Sequence, residues 1–299
     1  MTNITLKQLR YVDALARHGH FGQAAEASAI SQPALSMQIK ELEASLGLRL
    51  FERSARQVRP TAFGEAFVVR TREILRSVDE LQELATTARD GVMGRLRLGV
   101  IPTIAPYLLP ALIGGLAQKY PGLDLHVRET LTEKLIAELK DGRLDAAIVA
   151  LPVSESSLKE VALFDETFVL VRPRADADKP VPDPDALREM RLLLLEEGHC
   201  FRNQALSFCD IRASLPAEGL EGSSLSTLVQ MVSAGIGVTL IPQMAVPVET
   251  RSADVDVAKF SGVQPRRTIG MIWRNSSVMG AQLTEVSDLV RQTATAPAN

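Results

Sequence analysis

The sequence predicts a small helical N-terminal domain, a long connecting helix and a larger α/β domain, and three observations lead to this prediction. Residues 1–76 carry eleven Lys/Arg against seven Asp/Glu, whereas residues 91–299 carry 21 against 25. Residues 61–90 keep a helical spacing of apolar side chains with no breaker after Gly64. From residue 95 onward, short apolar strands alternate with helical patterns, which is typical of α/β proteins. A basic front and an acidic body favour a DNA-contacting module joined to a separate domain.

The composition excludes several classes of protein. The 299 residues are 46% hydrophobic and 23% charged, as in soluble globular proteins. No apolar run approaches the length of a membrane span, and residues 1–8 lack the apolar core of a signal peptide. Two cysteines do not make a secreted disulfide framework. We therefore expect a cytoplasmic protein in which any disulfide is transient or regulatory. Four histidines offer no recognisable metal set, and no cofactor is expected.

Residues 31–47 have the pattern of a helix that reads DNA. Ser31 is a suitable N-cap, Pro33 fits a first turn, and Gly47 is a suitable stop. An apolar stripe would face the domain, whereas polar groups on the adjoining face would enter a major groove. The stripe is Leu35, Ile39, Leu42 and Leu46, and the polar groups are Gln32, Ser36 and Lys40.

A basic segment follows this helix. Arg49, Arg53, Arg56 and Arg59 lie in a short extended stretch, which indicates a wing that meets phosphates or the minor groove. The alternative is a surface helix followed by a solvated basic loop. The agreement of cap, stripe, stop and basic run favours the DNA-binding interpretation.

The connecting helix carries a heptad seam. One row is Phe67, Ile74, Leu81 and Ala88, and a second row, four residues later, is Thr71, Val78 and Ala85. Such a seam predicts helix pairing, most simply in a homodimer. The alternative is a lone amphipathic helix packed on the body. About 30 residues would extend about 45 Å, which suits a spacer better than a core helix. Two copies would present two reading helices to a palindromic operator.

The body after the hinge at residues 91–94 alternates strands and helices. The predicted strands are 95–100, 124–129, 146–151, 168–171, 238–241 and 268–273. The predicted helices are 106–119, 132–141, 225–234 and 281–293. Residues 172–189 are rich in Pro and Asp and are expected to form a surface crossing.

Both cysteines lie in one segment, residues 192–209. Four leucines predict a short buried strand that Gly198 ends, and the mix from Phe201 onward predicts a helix. Cys200 would then lie near the N-terminus of that helix, between His199 and Arg202. Nearby positive charge and a helix N-terminus both stabilise a thiolate.

The spacing of Cys200 and Cys209 bears on how they can pair. Nine helical positions separate their backbones by roughly 13 Å, whereas a disulfide needs Cα atoms within roughly 7 Å. A disulfide would therefore unwind the helix and act as a conformational switch. The alternative is a pair of structural cysteines in a reduced core.

The N-terminal motifs resemble those of LysR-type transcriptional regulators. They run Ser31-Gln-Pro-Ala-Leu-Ser-x-Gln38-Ile39, then Leu42-Glu43, Leu46-Gly47, Leu50-Phe51-x-Arg53 and Pro60-Thr61-x-x-Gly64. The resemblance implies a winged helix-turn-helix in residues 1–60, a dimerising linker helix in 61–90 and a regulatory domain in 91–299. That domain would be two-lobed and similar to periplasmic binding proteins, with lobe I at about 94–165 and 268–299 and lobe II at about 166–267. Gln32, Pro33 and Ser36 would approach bases, and Arg53 would contact the DNA backbone.

The cysteine segment resembles the OxyR subfamily, whose members sense hydrogen peroxide. The shared motifs are Gly198-His-Cys-x-Arg-x-Gln-Ala205 with the second cysteine nine positions after the first, residues 100–110, and Pro265-Arg-Arg-Thr-Ile-Gly270. The resemblance implies that Cys200 reacts with peroxide to give a sulfenic acid and that Cys209 resolves it as a disulfide. It also implies roles near the thiol for Thr103, Thr132, His199, Arg202 and either Arg266 or Arg267, with Arg267 kept as the candidate. From the residues alone, Thr103 and Thr132 could instead be helix caps.

The resemblance also implies partners and shows two departures. The partners are a pseudo-palindromic double-stranded operator, hydrogen peroxide, a second copy of the chain with a tetramer beyond it, RNA polymerase and a cellular thiol reductant. Asn203 stands where an acidic residue is expected, which affects an ion pair near the thiol. Gly22 stands where the family has a larger or polar residue.

Two other functions compete with peroxide sensing. A small organic effector could bind between the lobes, along residues 99–103 and 224–227, with the cysteines as bystanders. A thiol peroxidase is the third possibility. The sequence disfavours it because it has no Cys-x-x-Cys and because an enzyme would have no use for the first 90 residues. We therefore expect a regulator and not an enzyme.

Overall fold

The computed structural model describes residues 4–53, 57–90, 93–183, 186–187, 190–208, 221–260, 262 and 264–295, and the side chains of 53, 80, 82–90 and 295 are outside this description. The chain forms two compact units, Met1–Gly91 and Val92–Asn299.

Three helices form the core of the N-terminal unit, and each begins and ends where the sequence gives a signal. They are α1 (Leu6–His18), α2 (Phe21–Ala27) and α3 (Gln32–Leu46). Thr5 and Gln8 form a reciprocal capping box at α1. The Ser31 hydroxyl accepts from the Ala34 amide at α3, and Gly47 ends that helix at φ +69°. Leu35, Ile39 and Leu42 of α3 are buried, as the apolar stripe predicts.

A two-stranded wing follows α3. Strands β1 (Phe51–Arg53) and β2 (Val58–Pro60) pair antiparallel, with Glu52 opposite Arg59. Glu43 of α3 fixes the start of the wing, because its Oε1 accepts from the amides of Leu50 at 2.8 Å and Phe51 at 3.1 Å. The wing is thereby held against the C-terminal half of α3.

The connecting helix α4 spans Ala62–Asp90 and packs its first turns on the N-terminal core. Arg72 donates to Asp13 of α1 at 2.8 Å, and Thr71 is buried. Phe67 also packs against this core. The N-terminal part of the predicted heptad seam is therefore used within the unit. Farther along, Ile74 and Leu81 are exposed.

The first lobe of the second unit is built on parallel strands. Strands β3 (Arg95–Val100), β4 (Asp124–Glu129) and β5 (Ala146–Leu151) pair in the order β4-β3-β5. Helices α5 (Ala105–Lys119), α6 (Thr132–Lys140) and α10 (Gly280–Thr295) belong to the same lobe. Its core contains Leu98, Ile148 and Trp273, all buried.

The second lobe has its own core around Phe168, Phe201 and Leu240. It contains β7 (Leu192–Leu195), β8 (Glu221–Gly222), β9 (Val238–Pro242), β10 (Val255–Ala258) and helices α7 (Cys200–Phe208), α8 (Leu225–Ser233) and α9 (Val246–Glu249). Its strands continue the same nine-stranded sheet in the order β9-β7-β8.

Two long strands join the lobes. Strand β6 (Leu158–Pro173) pairs with β11 (Arg266–Arg274) along its first half and with β9 and β10 along its second half. Strand β11 also pairs with β5 of the first lobe. The hydrogen-bonded sheet therefore passes from one lobe to the other through β6 and β11.

The prediction of a strand at residues 168–171 was wrong in length, because β6 begins ten residues earlier. Charged residues interrupt the alternation of apolar and polar side chains in the first half of β6. Neighbouring groups form hydrogen bonds with these charged side chains. Glu160 accepts from the Val153 and Ser154 amides, and Asp165 accepts from Thr268. Pairing with β11, rather than an apolar period, fixes this half of the strand. The predicted surface crossing at 172–189 also begins later, because Arg172 is buried and pairs with Asp256.

Among the described helices, none combines the length and apolar character that crossing a membrane requires.

Gly64 is a position in the N-terminal unit at which the backbone leaves no room for a side chain. A Cβ added there would overlap the carbonyl oxygen of Leu50, which also accepts from the Thr61 amide at 2.9 Å. We expect Gly64→Ala to destabilise the N-terminal unit by roughly 1–3 kcal/mol, the usual cost of overpacking. Thermal unfolding of the full-length protein measures this loss.

Gly114→Ala is the matched control, because a Cβ there meets nothing within 4 Å and alanine favours a helix. Gly114→Ala should unfold at the wild-type temperature or above it. Equal unfolding temperatures for Gly64→Ala and wild type would show that α4 can shift away from Leu50 at no cost.

Candidate functional site

Cys200 is the first residue of α7 and lies at the junction of the two lobes. It is half-buried, it is a free thiol, and it packs against the core of the first lobe. The next residue, Phe201, is buried in the core of the second lobe, edge-on to Phe168 at 4.7 Å between ring centroids. The start of α7 is therefore held by both lobes. Cys209 lies outside the described residues.

A buried cluster of Arg267, Glu166 and Thr103 lies beside this helix start. Arg267 donates through Nε to Glu166 Oε2 at 2.8 Å and through Nη1 to Thr103 Oγ1 at 2.8 Å. The Arg267 side chain is 0% exposed and that of Glu166 is 4% exposed. The Arg267 guanidinium also lies 5.3 Å from the centroid of the Phe201 ring. Burial raises the pKa of Glu166, although the Arg267 charge opposes this shift.

This geometry distinguishes the two neighbouring arginines. Arg267 is buried against Thr103, whereas Arg266 is exposed. It also shows that Thr103 is not a helix cap, because Ile104 is the N-cap of α5 and has no side-chain cap bond.

Two further polar groups belong to the same region. Thr132 is the first residue of α6, after its N-cap Leu131, so it is not the cap itself. Gly198, two residues before Cys200, faces Leu131, because a Cβ on it would lie 2.9 Å from Leu131 Cδ1. Thr132 Oγ1 and Gln204 Oε1 are both buried, and neither has a hydrogen-bond partner among the described residues.

Gln204 stands in the motif around Cys200 but was given no role from the sequence. It is one turn after Cys200 on α7, so the two side chains share a helix face. The four-residue spacing within the predicted helix was the signal that could have identified it.

His199 and Arg202 do not both supply charge to the thiol. Burial lowers the pKa of His199, although Glu196 opposes the shift, so the neutral imidazole is favoured. Arg202 donates through Nη1 to Glu221 at 2.6 Å and to the Leu195 carbonyl at 2.9 Å. The Arg202 charge is paired with that of Glu221 on β8, and the next residue, Asn203, is exposed.

A second hydrogen-bonded group crosses between the lobes. Tyr107 of α5 donates to Glu249 Oε1 at 2.6 Å, and Ser226 donates to Glu249 Oε2 at 2.6 Å. Burial raises the pKa of Tyr107 far above its usual range, and the bond to Glu249 adds to this shift. Ser224 caps α8 through the Thr227 amide. Ser224, Ser226 and Thr227, which lie in the segment considered for an organic effector, are thus engaged in structural hydrogen bonds.

The candidate DNA-contacting residues lie on α3 and the wing. Gln32, Pro33 and Lys40 are exposed on α3, and Ser36 is half-buried. Arg59 of the wing is exposed and bonds Gln57. The Arg53 side chain and the whole of Arg56 lie outside the described residues. At Gly22, a Cβ would come within 3.1 Å of the His20 ring that caps α2, and within 3.9 Å of Gln32 Oε1. Glycine at position 22, where the family has a larger or polar residue, therefore leaves room for the His20 side chain that caps α2.

No group of three His, Cys, Asp or Glu residues in the described part of the chain is placed to hold a metal ion.

Two family models match the chain. The bacterial regulatory helix-turn-helix of the LysR family matches residues 6–65, and the LysR substrate binding domain matches residues 89–295. A probable hydrogen peroxide-inducible genes activator of Mycobacterium avium is 40% identical over 96% of this chain and 93% of its own length. The DNA-binding transcriptional dual regulator OxyR of Escherichia coli K12 is 39% identical over 96% and 95%.

Solved structures give the same result. Full-length OxyR from Pseudomonas aeruginosa, in a cysteine-to-aspartate form, is 38% identical with a TM-score of 0.78, covering 97% of this chain and 95% of that one. A cysteine-to-serine mutant of Corynebacterium glutamicum OxyR with bound H2O2 is 35% identical with a TM-score of 0.67, covering 98% and 93%. The chain is thus a helix-turn-helix regulator that belongs to the LysR family and, within it, to the OxyR group.

Proposed function

We propose that this protein is a DNA-binding transcription regulator that hydrogen peroxide switches through Cys200 and Cys209. The observation that carries the proposal is the position of Cys200: a free, half-buried thiol at a helix start, held between two lobes beside the Arg267–Thr103 pair. The relatives named for peroxide response support it, because they align over almost the whole chain.

The chemistry takes two steps. The Cys200 thiolate attacks one oxygen of H2O2; the O–O bond breaks and hydroxide leaves, taking a proton to become water, so sulfur is oxidised to sulfenic acid. The Cys209 thiolate then attacks that sulfur; the S–O bond breaks, a second hydroxide takes a proton, and the disulfide forms. A cellular thiol reductant returns both cysteines to thiols.

Peroxide is small and neutral, so hydrogen bonds must orient it. Thr103 Oγ1 already accepts from Arg267, so its own hydrogen is left to donate to a peroxide oxygen. The buried oxygens of Thr132 and Gln204 can accept from the two O–H groups of peroxide. Arg267 supports the oxygen that leaves as hydroxide. Neutral His199 can serve as a hydrogen-bond partner, and Arg202 holds the start of α7 through Glu221.

The disulfide is incompatible with an intact α7. The eight helical steps from Cys200 to Phe208 place their Cα atoms about 12 Å apart. Cys209 follows Phe208 by one peptide, about 3.8 Å, so its Cα is at least about 8 Å from that of Cys200 wherever it points. A disulfide requires less than about 7 Å. Oxidation therefore unwinds α7 and changes the contacts between the lobes, which is an order–disorder switch.

The proposal also includes the residues that contact DNA and the helix that forms the dimer. Gln32, Pro33, Ser36 and Lys40 of α3 meet the major groove, and Arg53, Arg56 and Arg59 meet the DNA backbone or minor groove. Exposed Ile74 and Leu81, seven residues apart on α4, pair with the same helix of a second copy. The dimer spans a pseudo-palindromic operator, a tetramer forms from two dimers, and bound protein acts on RNA polymerase.

The first test adds one equivalent of H2O2 to the reduced full-length protein and maps thiols by peptide mass spectrometry. Wild type should give a Cys200–Cys209 linked peptide. Cys209→Ser should stop at a sulfenic acid on Cys200 that dimedone traps, and Cys200→Ser should keep its remaining thiol. Two thiols that persist through several equivalents of peroxide would contradict the proposal. The remaining alternative would then be a regulator that responds to a small organic effector.

The second test compares Arg267→Gln with Arg266→Gln. Because Arg267 is the buried donor to Thr103, its loss should slow the reaction of Cys200 with H2O2 by about 100-fold, the usual effect of one lost donor of this kind. Arg266→Gln should react within about twofold of wild type, because the side chain is exposed. Stopped-flow fluorescence with excess H2O2 gives both rate constants.

Removing Arg267 alone leaves the buried Glu166 carboxylate without its ion-pair partner, which destabilises the fold. The double variant Glu166→Gln/Arg267→Gln removes both charges and should recover folding stability but not the rate. Equal rates for Arg266→Gln and Arg267→Gln would show that the buried guanidinium plays no part in the reaction.

A further inference from the structure

One apolar side chain stands on the face of α3 that points away from the protein core. Met37 is 54% exposed, and it is the one large hydrophobic residue among the exposed side chains of this fully described helix. It contributes nothing to the N-terminal core, whose α3 members are Leu35, Ile39 and Leu42.

The position of Met37 follows from helix geometry. At about 100° per residue, Met37 lies about 165° from the mean direction of the three buried residues. Its exposed neighbours on that face are Pro33, four residues before it, and Lys40 and Glu41, three and four residues after it. Met37 is therefore at the centre of the surface that α3 presents to solvent, and Gln32 and Ser36 lie toward one flank.

An apolar side chain at this place reads one feature of a base pair. In the major groove, donors and acceptors distinguish most bases, but the C5-methyl of thymine is the apolar group that side chains contact. Methionine makes no strong hydrogen bond, and its flexible, polarisable thioether fits such a group closely. Lys40 beside it supplies the positive charge that draws the helix to DNA.

We propose that Met37 is a base-specificity residue that contacts the methyl group of a thymine in each operator half-site. The inference rests on the proposed role of α3 as the reading helix and goes beyond it by naming the base. Its expected effect is about fourfold in Kd per half-site, the equivalent of burying one methyl group.

The experiment first selects duplexes from a random DNA pool with reduced, full-length wild-type protein. Each thymine of the selected duplex is then replaced by deoxyuracil, which pairs identically but lacks the methyl group. Fluorescence anisotropy at one fixed salt concentration gives Kd for each duplex. Wild type should lose about fourfold per half-site at one symmetry-related thymine position and be indifferent at the others.

The Met37→Ala variant, tested on the same thymine and deoxyuracil duplexes, completes a double-mutant cycle between the side chain and the methyl group. It should bind the thymine duplex more weakly by a similar factor and no longer distinguish thymine from uracil at that position. Its thermal unfolding should match wild type, because the side chain lies outside the core. Lys40→Ala is the matched control: it should weaken both duplexes equally and keep the distinction.

The outcomes separate the inference from the function on which it rests. If wild type selects no DNA, the assignment of α3 as a reading helix fails, and the inference fails with it. If wild type selects DNA but tolerates uracil at every position, or if Met37→Ala keeps the wild-type distinction, the reading helix stands and the role of Met37 is overturned.

Discussion

The buried ion pair between Arg267 and Glu166 is the interaction on which the regulatory unit depends. A guanidinium with no exposed surface is tolerated only because a carboxylate and a hydroxyl meet it. Arg267 lies on β11, its partners Glu166 and Thr103 come from β6 and from the loop after β3, and Phe201 of α7 packs against its face. The pair thereby fixes the two crossing strands, the first lobe and the start of the cysteine helix in one arrangement.

This arrangement explains how chemistry at one sulfur can reach the whole unit. Cys200 packs on the core of the first lobe, whereas Phe201 and Ala205 of the same helix are buried in the second. Unwinding α7 would remove apolar contacts from both cores together. The crossing hydrogen bond from Tyr107 to Glu249 does not depend on α7, so it can keep the lobes joined while their relative orientation changes.

Much of the fold follows from local signals, and most of the site does not. The cap at Ser31, the stop at Gly47 and the buried leucine strand before Cys200 depend on nearby residues, so sequence alone predicts them. The choice between Arg266 and Arg267 depends on which face of β11 meets the core. Polar and apolar residues do not alternate regularly along β11, so the sequence does not identify that face. The pairing of Arg202 with Glu221, the role of Gln204 and the first half of β6 depend on partners distant in sequence. The motif resemblance supplied candidates, but contacts were needed to separate them.

The central claim is that forming the Cys200–Cys209 disulfide requires α7 to unwind. Hydrogen exchange of the amides in residues 200–208, followed by mass spectrometry before and after one equivalent of H2O2, tests it most directly. The account predicts that wild type loses protection in this segment on oxidation. It also predicts that Cys209→Ser, which stops at the sulfenic acid, keeps that protection. Full protection of the segment in protein proven to carry the disulfide would contradict the account.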